Sequence, residues 1–249
     1  TPKAFAPHVG RLEALRALAR WDDVLKEASK VVSLDPRHAG ALYARAHAFM
    51  QLNRREEAVT ALDAFLAVEP RSYDGLDAKR QLLLASERWS ELVATCDAIL
   101  AIQPHHPRAL KDKGRALLAL GKAEEAHATF ERLRVAAPDD LDALRGQRDA
   151  LRHTKNAKIL LRVCAEILQK DPADAATWTA QGESLEALGQ RDEALAAYDT
   201  VLRLDPRHAG ASARKASLLF ALGRYPDAVR AYEAAIDADP ASANLWFEK

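Results

Sequence analysis

The sequence predicts an all-α fold, a solenoid of antiparallel helix pairs. Three observations predict it. Alanine (52) and leucine (35) supply more than a third of the 249 residues, and both are strong helix formers. Aromatic residues make up only 6%, too few for an all-β core. Eight of the eleven prolines, Pro2, Pro36, Pro70, Pro104, Pro138, Pro172, Pro206 and Pro240, stand at a constant interval of 34 residues. A fixed period of that size marks stacked supersecondary units.

Composition excludes other classes. Acidic and basic residues balance at 36 each, which argues against a nucleic-acid binder driven by bulk charge. Two cysteines cannot form a disulfide framework. No apolar run approaches the ~18 residues of a membrane helix, and no signal peptide is evident. Reduced cysteines fit the cytoplasm.

With each unit ending two residues after its proline, the units run 5–38, 39–72, 73–106, 107–140, 141–174, 175–208 and 209–242. Unit position 4 holds Leu42, Leu76, Leu110, Leu144 and Trp178. Position 11 holds Leu15, Phe49, Leu83, Leu117, Leu151, Leu185 and Leu219, and position 27 holds Val31, Phe65, Ile99, Leu133, Ile167, Val201 and Ala235. Spacings of three and four residues predict two helices per unit, each with one apolar stripe. Position 15 carries Asn53, Gly121, Gly189 and Gly223, residues that tolerate the left-handed geometry closing a helix. Acids follow at positions 18 and 19, as in Glu56-Glu57, Glu124-Glu125 and Asp192-Glu193, suiting the positive end of a second helix. The proline stops that helix, and Ser72, Asp140, Asp174 and Ser242 at position 34 are N-caps for the next.

These units resemble the tetratricopeptide repeat over essentially the whole chain. The sixth shows Trp178, Gly182, Gly189, Ala194, Tyr198 and Pro206. The seventh shows Ala216, Gly223, Tyr225, Ala228, Tyr232, Ala235 and Pro240, and the fourth Gly114, Gly121, Ala126, Phe130 and Pro138. The resemblance implies a right-handed superhelix. It also implies a concave face lined by positions 2, 5, 9 and 12 of each first helix.

Departures from the pattern alternate. Position 8, small in the family, holds Leu12, Arg80 and Arg148 in units one, three and five, opposite Val24, Leu92 and Leu160 at position 20. Units two, four and six carry Ala46, Gly114 and Gly182 opposite Ala58, Ala126 and Ala194. Large side chains at both positions predict wider helix pairs in the divergent units. Trp21 and Trp89 stand 68 residues apart, as do Cys96 and Cys164, in keeping with a doubled period. The regular seventh unit breaks the alternation.

Residues 243–249 open an eighth unit, with Trp246 at position 4 and Phe247 beside it. Pro2 fills position 32 of a preceding one. No polar capping helix is evident, so the chain reads as a piece of a longer array or protein.

Catalytic chemistry finds no support. Carboxylates recur with the helix register, and no phosphate loop, nucleophile elbow or HExxH motif occurs. The histidines are spread along the array; His38, His106 and His208 share position 34 because the loop repeats. His153, on a first helix, reads as surface. A metal site needs three or four converging ligands, so neither metal nor cofactor is expected. Cys96 and Cys164, both at position 24, read as core thiols.

The surface remains. The positions that the resemblance places on the concave face include Tyr43, His47 and Met50 in unit two and Asp74, Asp77, Gln81 and Leu84 in unit three. Arg108, Lys111, Arg115 and Leu118 follow in unit four, then Asp142, Arg145, Asp149 and Arg152 in unit five. Unit six offers Thr179, Glu183 and Glu186. The candidate binding residues are Tyr43, His47, Arg108, Lys111, Arg115, Arg145 and Arg152, a basic stretch with acidic flanks. Such a groove steers a peptide with an acidic centre, unless pairs such as Arg145–Asp149 neutralise it locally. Only Asn53, Asn156 and Asn244 are asparagines, which disfavours an asparagine-based carboxylate clamp or backbone ladder. The expected function is a non-enzymatic scaffold that holds a peptide or helix of a partner protein in its groove. The alternatives are a recognition arm of a larger transferase, kinase or protease, and end-to-end self-association.

Overall fold

The computed structural model describes residues 2–154 and 156–239, without the side chains of residues 2–5. The expected N-cap Ser242 and the opening of an eighth unit at Trp246 and Phe247 lie outside the described residues. Fourteen α-helices and no strand occur among those described. The chain divides into two compact bodies, Thr1–Leu120 and Gly121–Lys249. The first holds α1 (Pro2–Ala17), α2 (Trp21–Leu34), α3 (Ala39–Gln51), α4 (Arg55–Leu66), α5 (Tyr73–Ala85), α6 (Trp89–Ile102) and α7 (Pro107–Ala119). The second holds α8 (Ala123–Ala136), α9 (Leu141–Arg152), α10 (Ala157–Lys170), α11 (Ala175–Ala187), α12 (Arg191–Leu204), α13 (Ala209–Ala221) and α14 (Tyr225–Ala238). Within each body, consecutive helices pack in sequence order. One difference from the proline register is at the start: Pro2 opens α1, and Pro7 lies inside it.

Local chemistry sets the helix ends. Ser72, Asp140 and Asp174 cap α5, α9 and α11 as expected, each accepting from a backbone N–H of the first turn. His38, His106 and His208 do the same for α3, α7 and α13 through Nδ1, at 3.0–3.1 Å. Their recurrence at position 34 is therefore a capping device, with Nδ1 unprotonated as acceptor. Second helices have no side-chain cap. In five of the seven the cap residue is basic and grips the acid three residues on: Arg20–Asp23, Arg54–Glu57, Arg88–Glu91, Lys122–Glu125 and Arg224–Asp227. Position 15 takes positive φ in Asn53, Gly121, Gly189 and Gly223, and also in Ala19 and Glu87. Tertiary packing holds these last two where glycine would sit without strain.

The alternation of units has a physical basis. The helices of units two, six and seven approach each other more extensively than those of units one, three and five. The divergent units exchange bulk reciprocally. Where position 8 is large (Leu12, Arg80, Arg148), position 24 is small (Ala28, Cys96, Cys164). Where position 8 is small (Ala46, Gly182), position 24 is large (Leu62, Tyr198). In the sixth unit a Cβ on Gly182 would come within 2.7 Å of the Tyr198 ring. Thus the small residue at 8 answers to position 24 as well as to position 20.

The two arginines at position 8 are buried, at 5% and 7% exposure, and a buried charge demands partners. Arg80 meets Asp112 on α7 and donates to Asp77 at 2.7 and 2.9 Å. Arg148 donates to Thr177 Oγ1 at 2.7 Å, to Asp174 at 3.2 Å and to Asp149 at 2.9 Å. The helices of these looser units are thereby tied to the first helix of the unit that follows. In the same units α2, α6 and α10 pack more closely on α3, α7 and α11 than α4 does on α5.

A second recurring device joins units. Position 7 is polar throughout: Arg11, Arg45, Lys79, Lys113, Gln147, Gln181 and Lys215. Lys79, Lys113 and Lys215 each pair with the position-25 aspartate of the unit before, Asp63, Asp97 and Asp199, at 2.5–2.6 Å. The aspartates are half-exposed, so each pair contributes only about 0–1 kcal/mol and acts mainly on register.

Both cysteines are free and buried. Burial pushes each thiol up to about 12, and thiolate is the reactive form. Neither thiol is expected to react with Ellman's reagent at pH 8 in the folded chain, and both should react in denaturant. Rapid labelling of the native chain would contradict this burial.

Candidate partner-binding face

Within each body, cross-links between the first helices of successive units show which side chains share a face. In the first body Tyr43 lies half-buried on α3, its ring 5.1 Å from that of Phe65. Burial, with the Asp74 charge, pushes its phenol up. One turn on, His47 packs edge-on against Trp21 at 5.2 Å. Burial, reinforced by Arg16, lowers the imidazole below its ordinary value and favours the neutral ring. His47 Nδ1 is buried without a hydrogen-bond partner. On α5, Asp77 is held by Arg80 and Gln81. On α7, Arg108, Lys111 and Arg115 follow at i, i+3 and i+7, so they share one side of the helix. Arg108 and Arg115 are exposed, and neither has an ion-pair partner among the described residues. Lys111 is half-buried.

In the second body the equivalent positions are cross-braced. Arg145 donates to Asp174 at 2.9 Å and to Asp171 at 2.7 Å, with Asp142 at 3.9 Å. Asp149 is taken by Arg148 instead of Arg145. Arg152 makes a forked pair with Glu183, both bonds at 3.0 Å. Glu183 and Glu186 both meet Arg214 on α13, at 3.4 and 3.5 Å. Glu186 also accepts from the Tyr198 hydroxyl, and burial with that carboxylate raises the phenol strongly. The charges of α9, α11 and α13 thus answer one another.

Of the five cations marked from sequence, Arg145 and Arg152 spend their hydrogen bonds inside the protein, whereas Arg108 and Arg115 present theirs to solvent. Sequence reading missed the bracing partners. Asp171 and Asp174 lie 26 and 29 residues away, near one repeat period, where a register search would find them. Among the described residues no helix is long and apolar enough to cross a membrane.

Comparisons with known proteins agree on the architecture. Two sequence profiles, both described as tetratricopeptide repeat, match residues 43–107 with 179–243, and 79–153. Among solved structures, YrrB, described as a TPR protein with an unusual peptide-binding site, is 20% identical with a TM-score of 0.64. That match covers 77% of this chain and 99% of YrrB. MamA from Desulfovibrio magneticus RS-1 is 18% identical with a TM-score of 0.63, over 67% of this chain and 94% of that one. A tetratricopeptide repeat protein from Parabacteroides merdae is 12% identical with a TM-score of 0.52, over 95% and 94%. No curated protein sequence matches.

Proposed function

Because the chain belongs to the tetratricopeptide-repeat family, we propose that it is a protein-interaction scaffold whose first-helix face holds an acidic segment of a partner protein. Proteins of this fold generally act by binding other proteins. The observation that carries the charge preference is the exposed, unpaired Arg108 and Arg115 on one side of α7 with Lys111 between them. A carboxylate reaching Arg108 and Arg115 gains charge-assisted hydrogen bonds there without breaking an ion pair of theirs. Tyr43 and His47 supply amphipathic surface on α3 for apolar side chains of the same segment. In this reading Arg145 and Arg152 stiffen the second body. The likeness to YrrB supports peptide recognition as something this architecture accommodates.

The test uses a fluorescent peptide of alternating glutamate and leucine, followed by polarisation. Reversing Arg108, Lys111 and Arg115 together to glutamate is expected to weaken binding at least about 10-fold, and rising salt should weaken the wild type. Equal binding by the reversed variant at low salt would overturn the basic centre. A variant with Arg191, Arg203 and Arg207, all exposed, reversed to glutamate makes the same change in net charge and serves as the control.

A further inference from the structure

We propose that the seam formed by α12, α13 and α14 is a second binding site, for a small aromatic carboxylate. Unit position 4 is filled by Leu42, Leu76, Leu110, Leu144 and Trp178 in five units, but by Ser212 in the seventh. Beside Ser212 lies a cavity of about 330 Å³. Leu195, Leu202, Leu219, Ala231 and Ala234 make its apolar lining. Ser212 lines it too, and its hydroxyl, on a residue only 1% exposed, has no hydrogen-bond partner. An unsatisfied buried hydroxyl at a cavity wall is an unfavourable arrangement that a bound polar atom would relieve.

The mouth defines the charge of the occupant. Lys215 and Asp199 neutralise each other at 2.6 Å. Arg224 and Arg230 both hold the single carboxylate of Asp227, leaving one positive charge in excess at the rim. The volume lies at the lower end of the range for ligand pockets, about 300–1,000 Å³, enough for one ring and its acid. A ring would rest on the leucines, and a carboxylate would reach the Arg224–Arg230 side. The matching seam of α2, α3 and α4 has a cavity of about 420 Å³. There Leu42 holds position 4 in place of Ser212 and Thr60 stands in place of Arg230, so the buried hydroxyl and the second rim arginine are both missing, which provides an internal control.

The probe is 3-phenylpropionate, titrated into the whole isotope-labelled chain and followed by amide NMR shifts. Shifts confined to α12, α13 and α14, with millimolar or tighter affinity, are expected. The uncharged 3-phenylpropanol should bind at least about 5-fold more weakly. Ser212→Leu, which restores the residue of the other units, should abolish the shifts while raising Tm by about 2–4 °C. Arg230→Glu changes a residue 76% exposed, so it tests the mouth without touching the core, and should weaken binding at least about 5-fold. Unchanged affinity in both variants, or the absence of localised shifts at tens of millimolar ligand, would overturn the site. A peptide ending in phenylalanine, as free acid and as amide, identifies the source. Binding of the free acid alone supports a chain terminus as occupant. Refusal of both peptides, with 3-phenylpropionate bound, supports a free small acid.

Discussion

Asp174→Ala is expected to destabilise the second body by about 2–3 kcal/mol, because α11 loses its cap and the buried Arg148 loses one of its two carboxylates. One carboxylate performs three tasks. It caps α11 through the Thr177 amide at 2.9 Å, and pairs with Arg145 and with the buried Arg148. Asp174→Asn keeps the capping oxygen and should recover about 1 kcal/mol of the loss. Urea unfolding followed by circular dichroism measures both. If Asp174→Asn matches the wild type, the ion pairs contribute nothing net. The pH dependence has a definite sign. Burial tends to raise this carboxyl, but the Arg145 hydrogen bond, the Thr177 amide and the Arg148 charge outweigh it, so the folded value lies below the ordinary one. Its stabilisation is therefore full above the unfolded value, about 3.9, and is lost as pH falls through the folded value. The gap between wild type and Asp174→Asn should close over that acid range.

Gly146→Ala is expected to cost about 1–3 kcal/mol, as overpacking does. A Cβ at this site would overlap the Phe130 ring, so α9 must move away from α8 or the ring must leave its rotamer. The better helix propensity of alanine, about 1 kcal/mol, offsets only part of that. Gly10→Ala is the contrast: within α1 and with nothing inside 4 Å of its Cβ, it should stabilise. Trimming the ring with Phe130→Leu in the Gly146→Ala background should recover part of the loss. Additive costs in the double variant would refute the clash as cause.

The architecture was legible because the repeat multiplies each weak signal. One proline or one glycine says little, but Pro36 to Pro206 at a constant interval, with Gly121, Gly189 and Gly223 in register, locate nearly every helix boundary. The charge map was legible only as an inventory. Arg145, Arg152, Arg108 and Arg115 look alike in sequence, yet two are bonded and two are not. Pairing depends on partners about one period away, which helix-face reasoning confined to i,i+4 neighbours does not reach. The histidine caps were hidden for another reason. A capping role depends on a side-chain nitrogen meeting a backbone N–H, and histidine is not among the usual cap residues.

The sequence by itself determined the helical units, their order, their ends and the alternation of bulky and small residues. Those properties follow from local propensity, the positions of proline and glycine, and an apolar period, all of which act over a few neighbouring residues. Tertiary structure decided which charges remain available to a partner and where a cavity persists. Burial and ion pairing depend on side chains brought together across units, so Arg80 finds Asp112 and Ser212 comes to line a cavity only once the helices have packed.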